Sequence, residues 1–549
     1  MKTLYPMIKK FVLLATVVLF ACIAVAQDYP HDGQNCTSIM VGKQASMDGS
    51  VITSHTCDGV YRTWVSMEPA RDYDSKAVKP VYKGTVHTSY RTDTTGVTLA
   101  GTIPQVAHTY AYLNTAYPCM NEKQLAIGET TFGGPKCLVN KEGMFNIEEL
   151  MRVILERCDN ARDAIRLIGD LVKQYGYGDE GECITIADRN EVWQLEIMGC
   201  GEKEIGAIWA AQRIPDEHVG VSANIPRIGR MNRANTDYFM ASDNVEKVAK
   251  KYKLWDGKGE FVFWKAFIPE YANGKNFRER EYFIFNALAP SMRLTMDMDE
   301  LPFSVRPDKH VDVRKVMELF RSTYEGTDMD MCQNIKYVKK TKDKDGKSRS
   351  DTLPSPIANP WMTGVTQSTY NMLDENAVTF RRTVAVAWCS YSTVIQLRDW
   401  LPNEIGGVCW LSFDNPAQSP RVPVFCGTKI LPTTFALCGQ NAYSEDAAIW
   451  KYRKANKLAT VAWQRTKETL NKSLLAQENI AFDKLEGLEK QVKTLVENRN
   501  RAQYESDRER YQGQIDNLLN AYTQRVYDQT TEEWHGLENK FWFMFRTGF

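Results

Sequence analysis

A cysteine that opens a β-strand becomes a compact catalytic unit if the peptide bond before it is cut. Residues 36–41, Cys-Thr-Ser-Ile-Met-Val, read as such a strand, preceded by Asn35. Once that bond is broken, the thiol and the freed α-amine belong to one residue. An α-amine has a reference pKa of about 7.7–8.0, close to where a general base works at neutral pH, so no separate histidine is required. The chemistry would be acyl transfer through a thioester that water then hydrolyses. The same thiol can attack the Asn35 carbonyl, which makes Asn35-Cys36 a bond suited to self-cleavage. Strand cysteines are otherwise ordinary packing residues, and the neighbours decide between the two roles.

The elements around Cys36 set its position. Met47-Asp48-Gly49 is a tight-turn signal and residues 50–54 read as a returning strand, so the first folded element is a hairpin that starts at the cysteine. Residues 146–175 form the clearest helical region, with Ile147, Leu150, Met151, Ile154 and Leu155 at helical spacing. Asp159 is suited to cap a second segment through Ile165, Ile168 and Val172, which Gly176 and Gly178 end. Strand patterns follow at 183–187, 192–198, 207–213 and 219–223, and return at 383–397 and 407–413. Strands, paired helices, then strands predict a layered α+β body rather than alternating βαβ units. Residues 338–351 read as a charged, solvated loop; its Asp343-Lys-Asp-Gly346 lacks the glycine position and terminal Glu of a calcium loop. Residues 446–528 are strongly helical, and the Trp-, Phe- and Met-rich tail is expected to pack back on the body.

Residues 1–26 differ from the rest: Lys2, Lys9 and Lys10 precede an apolar run closing on Ala24-Val-Ala26. This is the pattern of a secretory signal peptide, followed by a polar spacer, residues 27–35, that reads as a disposable propeptide. Cys22, in Leu-Phe-Ala-Cys, offers a weaker lipoprotein alternative. The expected organisation is 1–26 signal, 27–35 propeptide, 36–445 catalytic domain and 446–549 helical C-terminal region. Lys plus Arg equals Asp plus Glu at 68 each, which argues against nucleic acid as a partner. No later stretch has the length and apolarity of a membrane span. Thirteen cysteines permit disulfides in an exported protein, with Cys119–Cys137 or Cys409–Cys426 as conceivable pairs. The seven histidines are scattered singly and no metal-ligand spacing occurs, so neither metal nor organic cofactor is expected.

The segment from Cys36 to Asp58, with its Cys-Thr start and Gly42-Lys-Gln-Ala-Ser-Met-Asp-Gly-Ser50 hairpin, closely resembles the opening of the N-terminal-cysteine dipeptidases (the dipeptidase A group) of the N-terminal nucleophile hydrolase superfamily. The likeness continues through Gly128-Glu-Thr-Thr131, Trp193-Gln-Leu-Glu196, Arg213-Ile-Pro-Asp216, Arg381-Arg-Thr383 and Ile405-Gly-Gly-Val-Cys-Trp410. The fold this resemblance implies is the four-layer αββα sandwich, here with a helical C-terminal extension. It implies Cys36 as nucleophile with its own α-amine as base, and Asp58 as the acid that holds that amine. It implies Asn224, in Ser-Ala-Asn-Ile-Pro, as a side-chain donor to the tetrahedral oxyanion. Arg280 fits an active-site arginine by its distance from Asn224, with Arg278 and Arg293 as alternatives. Glu129 and Thr130 align with the loop that lines the substrate pocket. His55 departs from the pattern: relatives carry Arg three residues before this Asp, and imidazole does not replace a permanent bidentate donor.

The resulting expectation is an exported, secreted or periplasmic, cysteine-type dipeptidase acting on short peptides, processed at Asn35-Cys36. An N-acyl amide hydrolase of the bile-salt or penicillin type shares the catalytic core and is the alternative enzyme. A non-catalytic exported binding protein is the alternative outside enzymes. The sequence is compatible with a homo-oligomer.

Overall fold

The computed structural model describes residues 35–268 and 275–548. The expected signal peptide, Cys22 and all of the spacer before Asn35 lie outside the described residues. The chain forms two compact units. The described part of one is Tyr324–Arg381 with Ala462–Gln464; that of the other is 35–268, 275–323, Arg382–Val461 and 465–548. Together they bear out an α+β architecture.

The larger unit is built on two antiparallel sheets. One has seven strands in the order Ser304–Val305, Val219–Ser222, Ser38–Val41, Val51–Asp58, Cys389–Leu397, Val408–Phe413, Val422–Phe425. The other has eight, running Phe239–Ala241, Ile208–Arg213, Val192–Met198, Gly181–Ala187, Ala126–Gly133, Met120–Asn121, Tyr112–Asn114, Ser66–Glu68. Val51–Asp58 packs against Ala126–Gly133, Gly181–Ala187 and Val192–Met198, so the two sheets meet face to face. All eight residues of Val51–Asp58 are buried although five carry polar side chains. Such a strand needs partners for those groups, and they come partly from the facing sheet: Thr53 Oγ1 meets Thr185 Oγ1 at 2.7 Å. Gly128 allows a close approach of the two sheets, since a Cβ there would lie 2.5 Å from the Ser54 carbonyl oxygen.

Helices Ile147–Arg157 and Ala161–Tyr175 lie against the eight-stranded sheet, and Val313–Phe320, Ala448–Val461 and Glu505–Met544 against the seven-stranded one. The second helix of the first pair is capped by Asn160, whose side chain accepts from the Asp163 N–H, and not by Asp159. Its buried positions 161, 164, 165, 168, 171 and 172 follow the helical period. In the C-terminal region Trp534, Leu537 and Phe541 are buried, but Trp542, Phe543 and Met544 are exposed. The aromatic tail therefore packs back only as far as Phe541.

The smaller unit corrects the expected loop at 338–351. It is an exposed hairpin, Lys336–Lys342 with Ser348–Pro354. The Asp343 carboxylate closes the turn by accepting the N–H groups of Asp345 and Lys347 at 3.0 and 2.8 Å, a local use of aspartate that competes with calcium binding. Met331, Cys332, Ile335, Ala358, Met362, Ala377 and Val378 make its core.

No disulfide joins two cysteines among the described residues. The two conceivable disulfides are absent among the described residues: Cys137 is exposed, and Cys119 lies beside Cys409. The strand expected at 383–397 is shorter, Cys389–Leu397, which leaves Arg382 and Thr383 in the connection leading into it.

Candidate active site

Cys36 stands one residue before the paired part of its hairpin, where Thr37 bridges Thr56. In mid-hairpin the Ser54 hydroxyl accepts from the Ile39 N–H and donates to the Ile39 carbonyl, both at 2.8 Å. Cys36 is thus held at the end of a rigid strand, with 1% of its surface exposed. Its carbonyl is gripped by Arg280, whose Nη1 donates to Cys36 O at 2.6 Å and Thr37 Oγ1 at 3.0 Å. The same guanidinium donates through Nη2 to Ala223 O at 2.8 Å and Asn224 Oδ1 at 2.9 Å.

One helical turn accounts for that grip. Residues 278–281 are Arg-Glu-Arg-Glu, four buried charged side chains in a row on helix Lys275–Leu288. Each reaches a different segment: Arg278 to Met298 O, Glu279 to the Arg382 N–H, Arg280 to Cys36, and Glu281 to Arg227. The three candidate arginines are thereby separated, because Arg293 lies on an exposed left-handed turn.

Asp58 closes the second strand, fully buried. Its Oδ2 accepts from Thr56 Oγ1 at 3.0 Å and from Arg382 Nη2 at 2.8 Å. The guanidinium that His55 does not supply is therefore supplied from elsewhere in the chain. That same Nη2 donates to Asn35 O at 2.6 Å, and Nη1 donates to Thr383 O. Asp58 Oδ1 is buried with no hydrogen-bond partner among the described residues.

On the thiol side, Cys36 Sγ lies 3.6 Å from Glu129 Oε1, and His55 Nε2 lies 3.1 Å from the same oxygen. The His55 ring is wedged edge-on between Tyr117 and Tyr391. Burial pushes the Cys36 thiol well above its ordinary pKa, and the Glu129, Cys57 and Asp58 charges add to this; only the Asp58 backbone N–H opposes it. The thiol is therefore protonated while Asn35 is attached. Burial also raises Glu182, with Glu129 next in effect, and Thr131 Oγ1 donates to its Oε1 at 2.8 Å. Ligand spacing in the sequence shows no metal site, yet two strands and the segment leading into a third bring Cys Sγ, a His nitrogen and a Glu oxygen within 4.8 Å of one another at Cys36, His55 and Glu129.

Asn224 adopts a left-handed backbone, φ 63°, a conformation that asparagine tolerates better than most residues. Because Arg280 donates to its Oδ1, the amide nitrogen is oriented the other way, and it donates to Thr131 O at 2.5 Å. Glu129 and Thr130 lie on the buried strand Ala126–Gly133 and not on the expected loop; Thr130 meets Ser222 Oγ at 2.5 Å, so of the two it is Glu129 that faces the thiol. The sequence reading missed Arg382 as a site residue, though its Arg-Arg-Thr triplet was one of the matched segments. It missed Glu279 and Glu182 as well, which no local pattern marks.

The chain is similar in sequence to proteins named as dipeptidases. The chain is similar to a "Probable dipeptidase" of Latilactobacillus sakei, 25% identical over 417 residues, 73% of this chain and 76% of the relative. It is also similar to a "Probable dipeptidase" of Salmonella dublin, 25% identical over 414 residues, covering 72% and 81%. A "Probable dipeptidase B" of Streptococcus pyogenes serotype M1 is 28% identical over 272 residues, 49% of this chain and 47% of the relative. The profile of peptidase family C69 matches residues 35–475, opening one residue before Cys36. This chain belongs to peptidase family C69 and is a cysteine-type peptidase.

Proposed function

We propose that this protein is an exported cysteine-type dipeptidase that removes its own leader and then hydrolyses short peptides through Cys36. The observation that carries the reading is the pair of arginines on the carbonyls either side of the Cys36 nitrogen and α-carbon: Arg382 on Asn35 O at 2.6 Å and Arg280 on Cys36 O at 2.6 Å. In the processing step Sγ adds to the Asn35 carbonyl carbon, and the developing oxyanion lies where Arg382 already donates. The C–N bond breaks, the acyl group passes to sulfur, and the nitrogen takes the thiol proton. Water hydrolyses the thioester, releasing the leader's carboxylate and leaving a free α-amine. Asp58 Oδ1, buried and without a partner among the described residues, is suited to accept from that amine.

In turnover the α-amine removes the Cys36 thiol proton, the thiolate attacks the substrate carbonyl, and the protonated amine returns the proton to the leaving nitrogen. Asn224, oriented through Arg280, is the proposed oxyanion donor. Glu129, a buried carboxyl group 3.6 Å from the thiol, suits a substrate ammonium group. That favours peptides with a free α-amine over N-acyl amides. We further infer the N-terminal nucleophile sandwich, a reading supported by two face-to-face sheets with helices against each. Export is proposed from the leader pattern of residues 1–26.

The test compares an unblocked dipeptide with its N-acetylated form on the processed enzyme. Hydrolysis of the first and loss of most turnover on acetylation supports the reading. Equal or faster cleavage of the acetylated form assigns the protein to N-acyl amides instead.

A further inference from the structure

We infer that Cys36, His55 and Glu129 bind a single zinc ion that holds the processed enzyme reversibly inactive. Tetrahedral zinc takes sulfur at about 2.3 Å and nitrogen or oxygen at about 2.0–2.2 Å, so its ligand atoms stand about 3.4–3.6 Å apart. Here Sγ and Oε1 are 3.6 Å apart and Nε2 and Oε1 3.1 Å, with all three atoms within 4.8 Å of one another. One ion fits between them once Sγ and Nε2, which lie within 4.8 Å of each other, stand at about 3.6 Å. The donors are a thiol sulfur, an imidazole nitrogen and a carboxylate oxygen, the mixed set that zinc accepts.

The site is also built to receive a ligand. His55 Nε2 approaches Glu129 Oε1 to 3.1 Å without the geometry of a hydrogen bond, and finds no other partner among the described residues. Both side chains are at most 1% exposed. A buried imidazole nitrogen left in this way is costly, and a cation shared with Glu129 satisfies it. The two tyrosine rings fix the imidazole in place.

The fourth ligand rests on the proposed processing. Once Asn35 is gone, the Cys36 amine and thiol close a five-membered chelate ring on the ion. Before cleavage that nitrogen is an amide with no lone pair to give. Binding converts Cys36–SH to a zinc-bound thiolate and releases the proton to solvent. With S, two N and one O in place no position is open, which is the closed arrangement of structural rather than catalytic zinc. Nucleophile and base are then occupied together.

The experiment titrates the full processed protein with Co²⁺ under reducing, anaerobic conditions and reads the thiolate-to-cobalt charge-transfer band, with Zn²⁺ added afterwards as competitor. The expected result is one Co²⁺ per chain, displaced by Zn²⁺, and peptide hydrolysis that falls with Zn²⁺ occupancy and returns with EDTA. His55→Ala and Glu129→Gln should each weaken cobalt binding by at least the 10- to 100-fold that loss of an outer partner costs. The unprocessed chain should bind more weakly than the processed one. No band, or a band whose affinity neither variant changes, overturns the three-residue site. Metal binding without peptide hydrolysis retains the zinc site and removes the peptidase reading; hydrolysis without a band does the reverse.

Discussion

Arg382→Gln probes processing and architecture at once. The substitution removes the donor 2.6 Å from Asn35 O and the guanidinium 2.8 Å from Asp58 Oδ2. Losing one oxyanion donor costs about 2.7–4 kcal/mol, or about 10²–10³ in rate, so leader removal should slow by that factor. Asp58 is fully buried and keeps only Thr56 Oγ1 on that oxygen among these contacts. Breaking a buried ion pair from one side costs about 3–5 kcal/mol, a large part of a typical stability of about 5–15 kcal/mol. The variant should fold but melt several degrees lower. Asp58→Asn together with Arg382→Gln should lose less than the two single changes summed, because the stranded charge is gone. Arg382→Lys keeps a cation near Asp58 and should melt closer to wild type while still processing slowly. The assay is intact mass against time after synthesis at fixed temperature, paired with thermal melts. An Arg382→Gln chain that loses its leader at the wild-type rate would refute the reasoning.

Asn224→Ala on processed protein should slow peptide hydrolysis by about 10²–10³; wild-type turnover would remove Asn224 from the oxyanion site and leave Cys36 untouched. Alkylation of Cys36, or Cys36→Ser, should abolish turnover, and chelators should not lower it; chelator inhibition reversed by added zinc contradicts the mechanism. Burial pushes Glu196 up to about 7, against the pull of the Arg227 and Ile228 backbone N–H groups and Gln194. The folded chain keeps this proton to higher pH than the unfolded chain. The stability it contributes is therefore full below about pH 4.5 and lost as pH rises through about 7, about 3 kcal/mol in all. Glu196→Gln keeps an acceptor and cannot ionise, so its melting temperature should fall less between about pH 5 and about pH 8; parallel profiles for the two proteins would sink this.

Much of the fold was readable because its signals are local. The strand Val192–Met198 and the paired helices at 147–157 and 161–175 obey simple periods and end at a turn or a glycine. The Lys336–Lys342 hairpin was missed because its strands are exposed on both faces and carry no alternation for a pattern to show. In the site, Cys36 and Asp58 are one hairpin apart and were visible from it. Arg382, which joins Asp58 to Asn35, lies 324 residues from Asp58, and only sheet pairing brings it there. The Cys36–Glu129 approach spans 93 residues for the same reason. Long-range pairing also explains why ligand spacing showed no metal site: three separate segments, not one motif, assemble Cys36, His55 and Glu129.

The most direct measurement is the N-terminal residue of active protein, by intact mass and N-terminal sequencing of the fraction that hydrolyses dipeptides. This fraction should begin at Cys36, with residues through Asn35 removed and the free amine reactive towards aldehydes as a 1,2-aminothiol. Full activity in a chain that begins at Gln27, or in any chain whose Asn35-Cys36 bond is intact, contradicts this.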